Sequence, residues 1–238
     1  MGFLKRIFGK SEEKTAVITI VSGLPRSGTS MMMKMIAAGG IPPLTDAIRA
    51  ADEDNPKGYF EFERVKQMDK GDVAWVADAP GKSVKVIAAL LKHLPPGYEY
   101  RVIFVQRNMA EILASQRKML VHRGEDASKM DDAKMADLFA KHVQQVKGWL
   151  AEQPNFQTLY IHYSDVLADP AAAAEQINEF LGGKLDVASM ATAVDPTFIA
   201  TASSRPEWFS RLLISLNKSR RPFQGETAVY LRPPLLLS

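Results

Sequence analysis

The stretch TAVITIVSGLPRSGTSMMMKMIAAGG, residues 15–40, decides the fold. Its first part, Thr15 to Ser22, is a β-branched run that reads as a buried strand and ends in a Gly/Pro turn. Thr29 to Ala38 then reads as an apolar helix closed by Gly39-Gly40. Strand, glycine-rich loop and helix in that order form an anion cradle. The glycines let backbone amides converge, and the helix start adds about half a positive charge.

Downstream the same alternation continues. Ser83 to Ile87 and Tyr100 to Gln106 read as strands, with a helix between them that must stop at Pro95-Pro96. Asn108 caps a helix running to about His122, and Asp131 to Glu152 is a long helical pattern. Phe156 to Tyr163 reads as another strand, and Pro170 to Leu181 as a helix with Pro in its first turn and Gly182-Gly183 behind it. Strands alternating with helices predict an α/β, three-layer P-loop-like fold, a central mostly parallel sheet flanked by helices with ligands at the carboxyl ends of its strands. Asp46 to Gly58 and Lys184 to Arg205 are poorly periodic and read as lids, substrate loops or plain connections. The expected organisation is an N-terminal arm (1–14), one domain (15–216) and a basic, then apolar, tail (217–238) containing Arg220, Arg221 and Leu235 to Leu237.

Composition narrows the chemistry. With 238 residues, 46% hydrophobic and 24% charged, the chain has material for one sizeable core. It has no cysteine, which excludes disulfides, thiolate metal sites and cysteine nucleophiles, and fits a cytoplasmic protein. A net charge of +3 is too mild for general nucleic-acid binding and points instead to a local anion site. The four histidines are scattered and form no clustered metal-ligand pattern. No run reaches the roughly 18 apolar residues of a membrane span. Phe3, Leu4, Ile7 and Phe8 fall near one helical face of the arm, a pattern for weak contact with an anionic membrane or for simple packing. Arg6 stands where a myristoylation motif wants Ser or Thr.

The loop is not that of an ordinary nucleotide triphosphatase. Against GxxxxGK[ST], Gly23 and Gly28 match, but Thr29 takes the lysine position and the cation has moved to Arg26. The strand ending at Gln106-Arg107 offers no acid for magnesium.

Pro25-Arg26-Ser27-Gly28-Thr29-Ser30 resembles the phosphosulfate loop of sulfotransferases that use 3′-phosphoadenosine-5′-phosphosulfate (PAPS). Arg107, followed eight residues later by Ser115 in VIFVQRNMAEILAS, resembles that family's 3′-phosphate motif, with Met109 where the family usually has proline. Tyr163-Ser164-Asp165-Val166-Leu167, then Asp169-Pro170 and Phe180-Leu181-Gly182, is similar to a third family signature. The resemblance runs from Val17 to Gly182 and implies sulfuryl transfer from PAPS to a hydroxyl or amine acceptor, releasing 3′,5′-adenosine bisphosphate (PAP) without a metal.

It also implies roles. Arg26 contacts the transferring group, while Ser27, Gly28, Thr29, Ser30 and the loop amides take the 5′-phosphate. Arg107 and Ser115 take the 3′-phosphate, and Tyr163 lies near the adenosine or that phosphate. Ser115 sits about 10 Å along its helix, within reach of an arginine leaving the strand. Lys85 is a second cation candidate, or a solvent-facing strand lysine. A carboxylate about twenty residues past the loop arginine serves as base in similar branches, which selects Asp46, with Glu61 and Glu63 as rivals; His93 precedes the Pro-Pro break and is a poor one. A P-loop kinase and a noncatalytic nucleotide-binding or scaffold protein are the competing readings. The acceptor and the oligomeric state stay open.

Overall fold

In the computed structural model, which describes residues 17–46, 60–122 and 131–194, side-chain alternation along the strands sorts two layers of packing. Strand β1 (Ile18–Gly23) is buried throughout. On one face Ile18 and Ile20 join Val84, Val102 and Phe104 and meet Val146 and Leu150 of helix α3 (Asp132–Glu152). On the other, Val21, Ile103, Val105 and Ile161 meet the methionines of helix α1 (Thr29–Ala38) together with Ala174 and Ile177 of helix α5 (Pro170–Leu181). Burying each such side chain contributes about 1.5–3 kcal/mol, so a strand apolar on both faces is stable only between two layers.

The sheet is parallel. Strands β2 (Ser83–Lys85), β1, β3 (Tyr100–Gln106) and β4 (Phe156–His162) lie side by side in the order β2-β1-β3-β4. Register pairs Val21 with Lys85 on one side and with Ile103 on the other. The chain leaves β1 for β2 in one direction and later returns to β3 in the other. That reversal opens a crevice between the carboxyl ends of β1 and β3, where α/β sheets bind their ligands. The α/β, parallel-sheet expectation holds.

Several boundaries differ from the sequence reading. The second strand stops at Lys85, although Val86 still donates its N–H to the Val21 carbonyl, and the following turn, Ala88–His93, is 3₁₀ rather than α. The run ahead of Pro95-Pro96 is too short for a regular α-helix. Strand β4 ends at His162, and Tyr163 opens a short helix α4 (Tyr163–Ala168) that no periodicity announced. Two 3₁₀ segments, Glu63–Lys70 and Ala74–Asp78, precede β2 in a stretch to which the sequence reading assigned no element. Helix α2 (Met109–His122) and α3 appear close to where they were expected. A short helix α6 (Val187–Thr192), capped by the Asp186 carboxylate on the Ser189 N–H, lies in the poorly periodic stretch after Lys184. No helix among the described residues is long and apolar enough to cross a membrane. The N-terminal arm, the basic tail and most of 46–58 lie outside the described residues.

Candidate active site

The loop between β1 and α1 is shaped by close approaches that only glycine permits. At Gly23 (φ 152°) an added Cβ would stand 2.6 Å from the Val105 carbonyl oxygen, a backbone atom that cannot step aside. At Gly28 (φ 105°) it would stand 2.4 Å from Cδ2 of the Tyr163 ring. Between them Arg26 adopts φ 73°, left-handed backbone that costs a non-glycine residue about 1–3 kcal/mol and persists only where surrounding contacts enforce it. Two contacts do so. The Arg26 Nε donates to Ser115 Oγ at 2.8 Å, and the Arg26 carbonyl accepts from Arg107 Nη1 at 3.2 Å.

Arg107, Ser115 and Tyr163 thus converge on the loop arginine from β3, α2 and α4. The Arg107 guanidinium lies 4.3 Å over the Tyr163 ring, and its Nε donates to Glu111 at 2.8 Å. Stacking on a ring face and a carboxylate in the first turn of α2 orient the guanidinium fork. Burial pushes the Tyr163 phenol above its ordinary pKa, against the lowering influence of Arg107 and Arg26. Ser115, expected with Arg107 on one phosphate, accepts a hydrogen bond from Arg26. Glu111 escaped the sequence reading, because Arg107 lies ahead of the helix and no helical spacing links the two.

A second cluster forms on the β2 side of the loop. The Lys85 ammonium donates to Ser30 Oγ at 3.3 Å and lies 3.8 Å from Oε1 of Glu61, a carboxylate only 15% exposed. Lys85 is therefore not a solvent-facing strand lysine. Asp46 has a different engagement: its Oδ2 accepts the Glu63 backbone N–H at 2.6 Å, at the first residue of the 63–70 segment. Glu63 itself pairs with Lys66. His93 ends the 88–93 turn, where burial, then Lys92, lowers its pKa; Lys92 and Asp69 are the charges that act on it.

Thr29 and Ser30 open α1, whose N-cap Gly28 supplies no side-chain cap. Ser27 is buried, and its Oγ has no hydrogen-bond partner among the described residues. It borders a cavity of about 250 Å³ lined by Phe104, Met109, Ile112 and Val143, on the β3–β4 side of the loop. No group of three or more metal-ligating side chains occurs among the described residues.

Gly28→Ala tests this geometry. It combines a left-handed backbone with a collision against a ring that Arg107 holds in place. Affinity for PAP, the ligand that the resemblance of the loop implies, should fall at least about tenfold, as expected when loop and ring must move apart by more than a few tenths of an ångström. Isothermal titration measures it, and unchanged affinity would show that the Gly28–Tyr163 approach is not needed for binding.

A search of curated proteins finds no match to this sequence. Among solved structures, the chain is similar to the sulfotransferase domain of a Synechococcus olefin synthase (15% identity, 85% of this chain and 94% of that one, TM-score 0.41). It is similar also to a mouse sulfotransferase, SULT7A1, complexed with PAP (14% identity, 85% and 81%, TM-score 0.46). A third is retinol dehydratase in complex with androsterone and the inactive cofactor PAP (13% identity, 86% and 79%, TM-score 0.44). The family described as the sulfotransferase domain matches residues 18–223, most of the sequence, and the chain belongs to that family.

Proposed function

We propose that this sulfotransferase moves a sulfuryl group from PAPS to a hydroxyl acceptor and releases PAP. One observation carries the reading: the same loop has a cluster suited to a 3′-phosphate on its β3 side and a cation–carboxylate pair suited to transfer on its β2 side. Arg107, backed by Tyr163 and Glu111, holds the 3′-phosphate. The loop amides with Thr29 and Ser30 hold the 5′-phosphate. Arg26 and Lys85 face the oxygen that departs from sulfur, where negative charge accumulates, and fixed cations in a partly dry site stabilise that charge without reorganising.

In the transfer the acceptor oxygen bonds to sulfur, the bond from sulfur to the bridging oxygen breaks, and the acceptor proton goes to a carboxylate. We assign that proton to Glu61. It is partly buried and lies beside Lys85, which in turn reaches the loop. Asp46, the candidate on spacing from Arg26, spends one carboxylate oxygen on the Glu63 amide and remains the second choice. Two loop-side cations also explain how the site works without a loop lysine: Arg26 and Lys85 together supply what a lysine at position 29 would.

Calorimetric titration tests the binding half. PAP should bind without metal, with Kd about micromolar or tighter, and ATP with magnesium should bind more weakly. A preference for magnesium-ATP would return the kinase reading. PAP binding without any conversion of PAPS to PAP, even with acceptors supplied, would favour a noncatalytic nucleotide-binding protein.

A further inference from the structure

A carboxylate acts as a base only if one oxygen stays turned toward the proton it must take. Around Glu61 the backbone is pinned on both sides: its own carbonyl accepts from Thr45 Oγ1 at 2.8 Å, and the Glu63 N–H donates to Asp46. The side chain lies between two ammonium groups, with Lys85 nearest Oε1 at 3.8 Å and Lys66 nearest Oε2 at 3.1 Å. Lys66 in turn holds Glu63 at 2.5 Å. Both belong to the 63–70 3₁₀ segment, whose three residues per turn stack positions three apart, so Lys66 stands directly over Glu63.

We propose that Lys66 is a positioning residue for the transfer: bridging Glu63 and Glu61, it holds Oε2 of Glu61 and turns Oε1 toward Lys85 and the phosphate loop. This rests on the reading of Glu61 as the base. The 3.8 Å separation between Oε1 and Lys85 is wider than a close ion pair. Without Lys66 the carboxylate can rotate and close on Lys85. That would spend the base on the cation and draw Lys85 away from Ser30. Burial opposes the charge on Lys66, but its contacts with Glu63 and Glu61 outweigh burial and hold its pKa above the ordinary lysine value, so it stays charged as Glu61 works. Lys66 is replaceable in kind: an arginine can keep both carboxylate contacts, whereas a methionine keeps the stem and loses both.

The test uses the full chain and transfer to water, followed as release of inorganic sulfate from PAPS. Lys66→Met should lower kcat about tenfold or more while KM for PAPS and the Kd for PAP change less than about threefold. Lys66→Arg should recover most of that loss. In a Glu61→Gln background, Lys66→Met should have no further effect on kcat, because its route runs through Glu61. Wild-type kcat in Lys66→Met while Glu61→Gln is crippled would overturn the role of Lys66 and leave Glu61 as base. An equal loss from Lys66→Met in both backgrounds would place its action elsewhere and also overturn the proposal. Wild-type kcat in Glu61→Gln would remove the base reading and the proposal with it, as would sulfate release at the uncatalysed rate in every form. Should Lys66→Met fail to fold, Lys66→Gln takes its place, with thermal melting as the check.

Discussion

Replacing Arg107 by alanine is expected to weaken PAP binding by about a hundredfold or more, since a bidentate phosphate contact comprises two charge-assisted hydrogen bonds of about 1.5–3 kcal/mol each. Solvent screening discounts little of this, because the Arg107 side chain is only 10% exposed. A ligand without the 3′-phosphate, adenosine 5′-phosphosulfate, should lose only a few-fold. It would feel the mutation indirectly, through the lost Arg107 contacts with the Arg26 carbonyl and the Tyr163 ring. Arg107→Lys should recover little of the loss, because an ammonium has neither the planar fork nor the stacking face. Parallel titrations with the two nucleotides give the decisive ratio. Equal losses for both ligands would reduce Arg107 to a structural support of the loop and take the 3′-phosphate away from it.

How much of this site was legible in the sequence follows from what each part depends on. The strand, loop and helix of residues 18–38 were readable because β-branched burial, glycine placement and helix closure are local signals. Arg107 was readable for the same reason, as the cation just past a strand with the apolar centre Val102 to Val105. The segment Glu63–Lys70 was not, because a 3₁₀ helix has no distinctive hydrophobic period and is held in place by tertiary partners such as Asp46. With it went the reason to look at Lys66. The contact between Ser115 and Arg26 was hidden for a different reason: the left-handed turn at Arg26 brings that arginine across 89 residues of sequence to the hydroxyl. Nothing local announces a positive φ at a non-glycine residue. Likewise, a count of about twenty residues past the loop arginine selects Asp46, whereas the nearness of Glu61 to Lys85 is a tertiary contact that counting along the chain does not see.

Glu61→Gln should therefore lower kcat about a hundred- to ten-thousandfold, the usual loss when a general base is removed, while PAP affinity changes by less than about threefold. Glutamine keeps the volume, and its amide oxygen still accepts from Lys66 or Lys85, so the pocket keeps its shape and loses only its proton acceptor. Asp46→Asn isolates the rival. It weakens an amide–carboxylate hydrogen bond worth about 1.5–3 kcal/mol at the start of the 63–70 segment, and should lower Tm by several degrees while retaining most of the turnover. The two variants separate along different axes, one in rate and the other in stability, so a single pair of kinetic and melting measurements distinguishes them. If Asp46→Asn abolishes turnover with an unchanged Tm and Glu61→Gln does not, the proton goes to Asp46. Glu61 would then be an electrostatic partner that holds Lys85 near the loop, and Lys85→Met should cost as much in kcat as Glu61→Gln.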